Sequence, residues 1–279
     1  MAVMAAQNSL TGTSWHTDDI DVERYLELLG VDRGPVDIEL LETLHGRHVR
    51  TFPFCAIDVL LGQHPGVEPA TVSKRMLVDG LGGYCFEHAQ LFAAACEALG
   101  FQVTRRLGRV HSMTNTRTHT CVEVLVGGKR FLTDPGFGLS ITGPIELAEG
   151  ASRQEPHGEY TVHSFQRDGV QFWELRRNGE TAHTHDSLPV VPVDVASGHV
   201  VTSTGSLFTR QLIASKFISQ EHHSLAGTTL TIRRPNQPTA RHELTIDETI
   251  ETVQKLGVNL GEARTRRLRA QLESTAPNE

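Results

Sequence analysis

Apolar residues recur at helical spacing through the first hundred positions. The first periodic stretch carries acidic residues in its first turn, where they suit the positive end of a helix dipole, and Gly30 closes it. Leu40, Leu41 and Leu44 mark a second apolar face, and Gly100 provides the C-terminal stop of a third helix. The pattern predicts helices over 18–30, 36–50 and 85–100.

The next hundred residues change to the alternation of apolar and polar positions that is typical of strands. Two such runs flank Gly127 and Gly128, a pair that favours a tight turn between antiparallel strands. A second turn is predicted around Gly169. The predicted strands cover 101–104, 121–126, 129–133, 160–165 and 172–175.

The last part of the chain mixes both patterns and contains no internal repeat. The predicted elements there are a helix at 209–215, a strand at 228–233, and helices at 247–256 and 261–273. The chain therefore divides into a loose N-terminal arm at 1–17, a helical part at 18–100, a β part at 101–204 and a mixed part at 205–279.

Composition indicates a folded chain and disfavours several classes of function. Of the 279 residues, 38% are hydrophobic and 21% are charged, which is enough apolar material for a core. The formal charge of −7 and the lack of a basic block are unsuited to binding nucleic-acid phosphates. No apolar run reaches the length of a membrane span, and the first residues lack the pattern of a secretory signal. We expect a cytoplasmic protein without nucleic-acid or membrane partners.

Four cysteines are few for a chain of this length, and without an export signal we expect them to be free thiols. Cys85 stands out because Gly82 and Gly83 deliver it to the first residues of a predicted helix. Unpaired backbone N–H groups there favour a thiolate and can donate to a developing oxyanion. The alternative is that Cys85 is a small buried hydrophobic residue.

A thiolate nucleophile needs a base and a group that orients the base. His119 leads into the predicted hairpin, and Asp134 follows its return strand. In an antiparallel hairpin that turns at 127–128, these two residues lie near the ends of neighbouring strands, at a separation that suits an imidazole held by a carboxylate. A single His or Asp near the end of a strand is more often an exposed surface residue with no catalytic role.

Several ordered motifs resemble the arylamine N-acetyltransferase family, over about residues 18 to 273. Gly82 to His88 resemble its cysteine motif, while Thr118-His119 and Asp134 to Gly138 resemble its histidine and aspartate motifs. Further matches are Leu44-His45 with His48, Pro53-Phe54, Asp58 to Gly62, Leu91-Phe92, Leu99 to Phe101, Arg109-Val110, Pro192 to Asp194 and Ser206 to Arg210.

The resemblance implies an α+β fold with a cysteine-protease-like core. Its helical N-terminal domain (18–100) would hold the nucleophile, a central β-barrel domain (101–204) the His and Asp, and an α/β lid domain would cover 205–279. Cys85 would be the nucleophile, His119 the base and Asp134 the orienting group. The acyl and amine pocket would be lined by Phe54, Val110, Thr118, Phe137, Gly138 and Phe208.

The implied reaction is a ping-pong transfer from acetyl-CoA, or another acyl thioester, to an arylamine or hydrazine nitrogen. The thioester would be a co-substrate, with no permanently bound cofactor and no metal. Aromatic pocket residues suit a flat apolar acceptor independently of the family. We also expect an oxyanion to be held by backbone N–H groups, including that of Cys85.

The sequence departs from the family pattern in connected ways. The usual Arg before Gly-Gly is Leu81, and the usual Glu-Asn after Pro-Phe is Cys55-Ala56. In the family this Arg and Glu form an ion pair. The loss of both is physically consistent, because the loss of one alone would leave the other charge unpaired. Pro135 and Ala89 also replace usual residues. These changes raise the alternative of an amide synthase that releases a polyketide from an acyl carrier protein, by amide or macrolactam formation with the same triad.

Two further hypotheses, a zinc site and a non-catalytic binding module, concern functions other than acyl transfer. Cys85 with His88, and His119 with Cys121, imitate two ligand pairs of a zinc site, although the strand pair and the helix pair would have to meet. A non-catalytic binding module is disfavoured, since a neutral scaffold has no reason to keep three reactive residue types in register. Six other histidines are interpreted as solvated or hydrogen-bonded: His45, His48, His183, His185, His222 and His223.

Overall fold

The structure is a computed structural model that describes residues 14–275. Residues 1–13, most of the predicted N-terminal arm, lie outside that range, as do residues 276–279. Short turns of 3-10 helix occur at Thr17–Asp19 and Leu207–Thr209, and Lys74–Val78 forms a π-helical turn. The α-helices in the described range are Val22–Leu29 (α1), Ile38–Thr51 (α2), Ile57–Leu60 (α3), Pro69–Ser73 (α4), Cys85–Ala98 (α5), Pro192–Gly205 (α6), Ile246–Lys255 (α7) and Gly261–Thr275 (α8).

The strands form two antiparallel sheets. The larger sheet has the order β5-β4-β3-β2-β9-β8-β7-β6, and its edge strands β5 and β6 contact each other, so that it nearly closes like a barrel. The smaller sheet has the order β1-β10-β11-β12-β13. The strands are Phe54–Cys55 (β1), Gln102–Val110 (β2), Arg117–Val126 (β3), Lys129–Thr133 (β4), Ile145–Glu146 (β5), Ser152–Glu155 (β6), Gly158–Arg167 (β7), Val170–Arg177 (β8), Glu180–Asp186 (β9), Ile213–Ile218 (β10), Glu221–Ala226 (β11), Thr229–Arg233 (β12) and Ala240–Glu243 (β13).

Helix α5 is the central element of the N-terminal part. Every residue from Cys85 to Cys96 is buried, because the helix packs against other elements on all its faces. Its run of alanines lets neighbours approach closely, and Phe92 joins Leu41 and Leu44 of α2 in one core. A helix that is apolar all round has to be buried in this way. The N-terminus of α5 is thereby fixed against both sheets.

The structure confirms the predicted α+β class, with helices at the N-terminus followed by a barrel-like sheet. The helix predicted at 209–215 is wrong. Ile213–Ile218 instead form β10, which lies between β1 and β11 and pairs with both. A strand with neighbours on both sides gains ladder hydrogen bonds that local helix propensity cannot match.

Helix α6 was not predicted. Its sequence is rich in valine and glycine, so no helical apolar stripe marks it. The remaining signal is Pro192 at its first turn, followed by Asp194, whose carboxylate accepts the Val191 N–H at 2.9 Å. Among residues 14–275, no helix combines the length and the apolar character that crossing a bilayer requires.

Candidate active site

The Gly-Gly turn before α5 lies flat on strand β1. The Cys55 N–H donates to the Gly83 carbonyl at 2.6 Å, and the Gly83 N–H donates to the Pro53 carbonyl at 3.2 Å. Gly82 has a φ of +68°, and a Cβ there would lie 2.5 Å from the Pro53 oxygen. No other residue type fits that position. The turn therefore places Cys85 as the first residue of α5 in a fixed orientation.

A buried ion network supports this turn from behind. The Glu87 carboxylate accepts the Tyr84 N–H at 3.1 Å and the Arg75 Nε–H at 2.7 Å. Arg75 also donates to Asp58 at 2.6 Å, and Arg264 donates to Asp58 at 2.9 Å. Burial alone would raise the pKa of Asp58, but its hydrogen bonds from Arg264 and Arg75 lower it to about 2. The network ties the start of α5 to the C-terminal helix.

The structure brings Cys85, His119 and Asp134 together. His119 lies near the start of β3, and Asp134 follows the last residue of β4. The His119 Nε2 atom is 2.9 Å from Asp134 Oδ2, which leaves Nδ1 for the thiol, and Cys85 is close enough to raise the pKa of His119. The Cys85 Sγ atom is 3.8 Å from the Thr118 carbonyl oxygen. The order is thiol, imidazole and carboxylate.

The charges of this group stabilise one another. Burial alone would lower the pKa of His119, but the charge and hydrogen bond of Asp134, with a smaller effect of the neighbouring Cys85, raise it to about 10. Burial likewise favours neutral Asp134, yet the neighbouring His119 and His183 hold the pKa of that carboxyl well below its usual range. At neutral pH the pair is therefore an imidazolium and a carboxylate.

A cavity of about 710 Å³ opens over the thiol. The side chains and backbone of five predicted pocket residues line it: Phe54, Val110, Thr118, Phe137 and Phe208. Gly138 does not line it. Its carbonyl accepts hydrogen bonds from Ser215 at 3.1 Å and His222 at 2.7 Å, in a turn where its φ is +87°. Gly138 therefore fastens the cavity wall to the smaller sheet.

Comparisons with known proteins agree with this geometry. A family model described as N-acetyltransferase matches residues 37–265. The arylamine N-acetyltransferase of Mycolicibacterium smegmatis is 30% identical over 270 residues, which are 91% of this chain and 97% of that protein. The chain belongs to the arylamine N-acetyltransferase family. It is thus related to acyl-transferring enzymes over nearly its whole length.

Solved structures of arylamine N-acetyltransferases share the fold. The Nocardia farcinica enzyme superposes with a TM-score of 0.86 at 28% identity, covering 94% of this chain and 98% of that one. The Mycobacterium marinum enzyme, solved in complex with CoA, gives a TM-score of 0.81 at 25% identity, covering 92% of this chain and 100% of that one. The barrel-like sheet and the N-terminal helices are therefore those of an arylamine N-acetyltransferase fold.

Two of the positions that depart from the arylamine N-acetyltransferase pattern lie together. Leu81 and Cys55 line the same small cavity, and Arg75 and Asp58 line it with them. Burial raises the pKa of the Cys55 thiol to about 12, so that Cys55 is a neutral neighbour for Leu81. The buried cation of this region comes from Arg75, which sequence reasoning did not single out because it lies in the π-helical turn before the motif.

The zinc site considered from sequence does not form. His88 turns away from Cys85, with its Nδ1 2.7 Å from His48 and its Nε2 3.3 Å from the Pro53 carbonyl. Within residues 14–275, the groups close enough to share an ion are instead His119 with Asp134 and His183, and Cys121 with His183 and His185. Both groups contain His183.

Of the histidines interpreted as solvated or hydrogen-bonded, His48, His185 and His222 are hydrogen-bonded rather than solvated. His183 and His185 lie on the inner face of β9 and are fully buried, as are His45, His48 and His222. His183 Nε2 is 3.0 Å from Asp134 Oδ2, so a second imidazole contacts the same carboxylate oxygen. The alternation His183-Thr184-His185 on a strand places both rings on one face, but the sequence does not reveal which face is buried.

Proposed function

We propose that this N-acetyltransferase moves an acetyl group from acetyl-CoA to the nitrogen of an arylamine or hydrazine by a ping-pong reaction through an acyl-Cys85 intermediate. The observation that carries the proposal is the thiol of Cys85 at a cavity of about 710 Å³, next to the His119 imidazole, whose Nε2 atom is 2.9 Å from Asp134 Oδ2. Such an arrangement matches a cysteine activated by a base and an orienting group.

In the first half-reaction, the Cys85 thiolate attacks the thioester carbonyl carbon, and the carbon–sulfur bond to CoA breaks. The CoA sulfur leaves with the proton of the His119 imidazolium. Backbone N–H groups at the start of α5, including that of Cys85, stabilise the oxyanion. In the second half-reaction, the amine nitrogen attacks the acyl carbon, His119 takes its proton, and the Cys85 thiolate leaves.

The walls of the cavity suit a flat aromatic acceptor. Phe54 and Phe208 have ring centroids 5.9 Å apart, and Phe137 packs edge-on against the His119 ring at 5.2 Å. Aromatic side chains bury a planar ring at small entropic cost and prefer offset or edge contacts with it. Polar residues also line the cavity, among them Asn115, Arg177 and Glu180, so the aromatic side chains form only part of its wall.

A turnover assay tests the proposal. Wild-type protein mixed with acetyl-CoA and a simple arylamine should release free CoA thiol and form the N-acetyl product. Cys85→Ala should abolish both, whereas Cys96→Ala, a buried cysteine of the same helix with a pKa raised by burial, should retain turnover. Acylation by a carrier-bound thioester alone, with none from acetyl-CoA, would overturn it in favour of the amide synthase alternative.

A further inference from the structure

We propose that His183 is a positioning residue: its neutral imidazole holds the Asp134 carboxylate in the orientation that pairs with His119. The inference rests on the proposed roles of Asp134 and His119. Sequence motifs do not mark His183, which lies about fifty residues beyond Asp134 on a different strand.

The geometry places one carboxylate oxygen between two rings. Asp134 Oδ2 is 2.9 Å from His119 Nε2 and 3.0 Å from His183 Nε2. The two ring centroids are 4.9 Å apart, and all three side chains are at most 2% exposed. The His183 ring meets the oxygen off the line of its N–H bond, so the attraction is mainly that of the N–H dipole for the charge.

Strand β2 leaves room for this contact. It lies between β3 and β9, and its residue Gly108 pairs with His119 on one side and His185 on the other. A Cβ on Gly108 would lie 3.2 Å from the Thr184 carbonyl and 3.7 Å from His183 Nδ1. Because Gly108 has no side chain, a ring from β9 reaches across β2 to the end of β4.

The surroundings keep His183 uncharged. Burial lowers its pKa to about 4, although Asp134 works in the opposite direction, and the charge of His119 lowers it further. Its other titratable neighbours are Cys121 and His185. A neutral His183 fixes Asp134 without competing with the His119 imidazolium for the carboxylate charge. A positively charged His183 would compete for it.

The neighbouring histidine serves a different carboxylate. His185 Nε2 is 3.3 Å from Glu123 Oε1, and Arg106 donates to Glu123 at 3.1 Å. His185 is buried on the same face of the same strand as His183. It is therefore a matched control for the loss of a buried histidine from β9.

The test compares His183→Met, which removes the N–H, with His183→Gln, whose amide can replace it, and with His185→Met. Two quantities are measured in each variant: kcat with acetyl-CoA and an arylamine, and the rate of Cys85 alkylation by iodoacetamide as a function of pH. For wild type we expect a plateau of alkylation below the pH at which His119 loses its proton. For His183→Met we expect kcat to fall about tenfold to a hundredfold, the range found when an outer hydrogen-bonding partner is lost from a metal site.

In His183→Met the upper end of the plateau should also move to lower pH, because a mobile Asp134 pairs less with His119. His183→Gln should restore much of the kcat and much of the alkylation plateau. His185→Met should leave the plateau in place even if it lowers the melting temperature. A folded His183→Met with wild-type kcat and plateau would overturn the proposal, as would an equal loss in His185→Met. A zinc ion that copurifies with wild type and is lost from His183→Met would also overturn it. Alkylation needs no acyl donor, so failure of the proposed transfer reaction is seen separately.

Discussion

A Cβ atom on Gly136 would lie 2.9 Å from the Cα of Cys85 and 3.0 Å from its carbonyl oxygen. Real Cβ atoms are essentially never found so close to backbone, so the loop after Asp134 passes directly against the first turn of α5. The same loop carries Phe137, which lines the cavity. Because Gly136 has no side chain, the loop after Asp134 can lie against α5. The distance between the Cys85 thiol and the His119 imidazole depends on this close packing.

Gly136→Ala should push the loop after Asp134 away from the first turn of α5, and so separate His119 and Asp134 from Cys85. Overpacking a rigid contact costs about 1–3 kcal/mol, and a displacement of the nucleophile of about 1 Å can cost about a hundredfold in rate. We expect a lower free energy of unfolding by urea titration, and a lower kcat. Gly34→Ala is the matched control, since nothing lies within 4 Å of a Cβ there and neither glycine has a positive φ. Equal behaviour of the two variants would contradict the close packing.

Asp134→Asn should preserve the fold and reduce kcat by about 10⁴-fold, because the amide cannot stabilise the imidazolium or fix its tautomer. Asp186→Asn is the control, since that carboxylate is also buried in the barrel-like sheet but pairs with Arg117 at 2.9 Å. Steady-state turnover and circular dichroism measure the two effects. Near wild-type turnover by Asp134→Asn would refute the assigned role.

The His119–Asp134 pair should make stability depend on alkaline pH. The pKa of His119 is about 10 in the folded protein against 6.5 for the free side chain, so its contribution is complete below about pH 6.5 and is lost as pH rises through 10. Urea unfolding at pH 7 and pH 10 should show a larger loss of stability in wild type than in His119→Gln. The same loss in both proteins would show that other groups cause it.

Arg75→Met should strongly destabilise the protein. It leaves the carboxylates of Asp58 and Glu87, both buried, without their shared cation, and breaking a buried pair in this way costs about 3–5 kcal/mol. Lys74→Met, which removes an exposed ion pair with Asp79, should cost less than about 1 kcal/mol. Thermal unfolding of the two variants provides the comparison, and a small effect of Arg75→Met would mean that Arg264 beside Asp58 and His64 beside Glu87 suffice.

Much of the site was predictable because its residues follow local rules. The Gly82-Gly83 turn, the helix start at Cys85 and the hairpin around Gly127 each leave a short-range signal, and together they bring His119 and Asp134 near each other. Helix periodicity likewise placed α1, α2, α5, α7 and α8. Such features depend on neighbours in sequence, which a single chain displays.

The rest depends on pairing between distant segments. His183 reaches Asp134 only because β9 lies beside β2 and Gly108 leaves a gap, and no spacing in the sequence encodes that register. Strand β10 is likewise defined by its two neighbours, and Arg75 acquires its role from Asp58 and Glu87. Each is a long-range contact that only the folded chain reveals.

The acetylation state of Cys85 tests the central claim most directly. Protein incubated with acetyl-CoA without an acceptor, then digested and analysed by mass spectrometry, should carry one acetyl group on the peptide that contains Cys85. That group should disappear when an arylamine is added, as the N-acetyl product forms. Product formation without acetyl-Cys85, or an acetyl group on Cys55, Cys96 or Cys121 instead, would contradict the account.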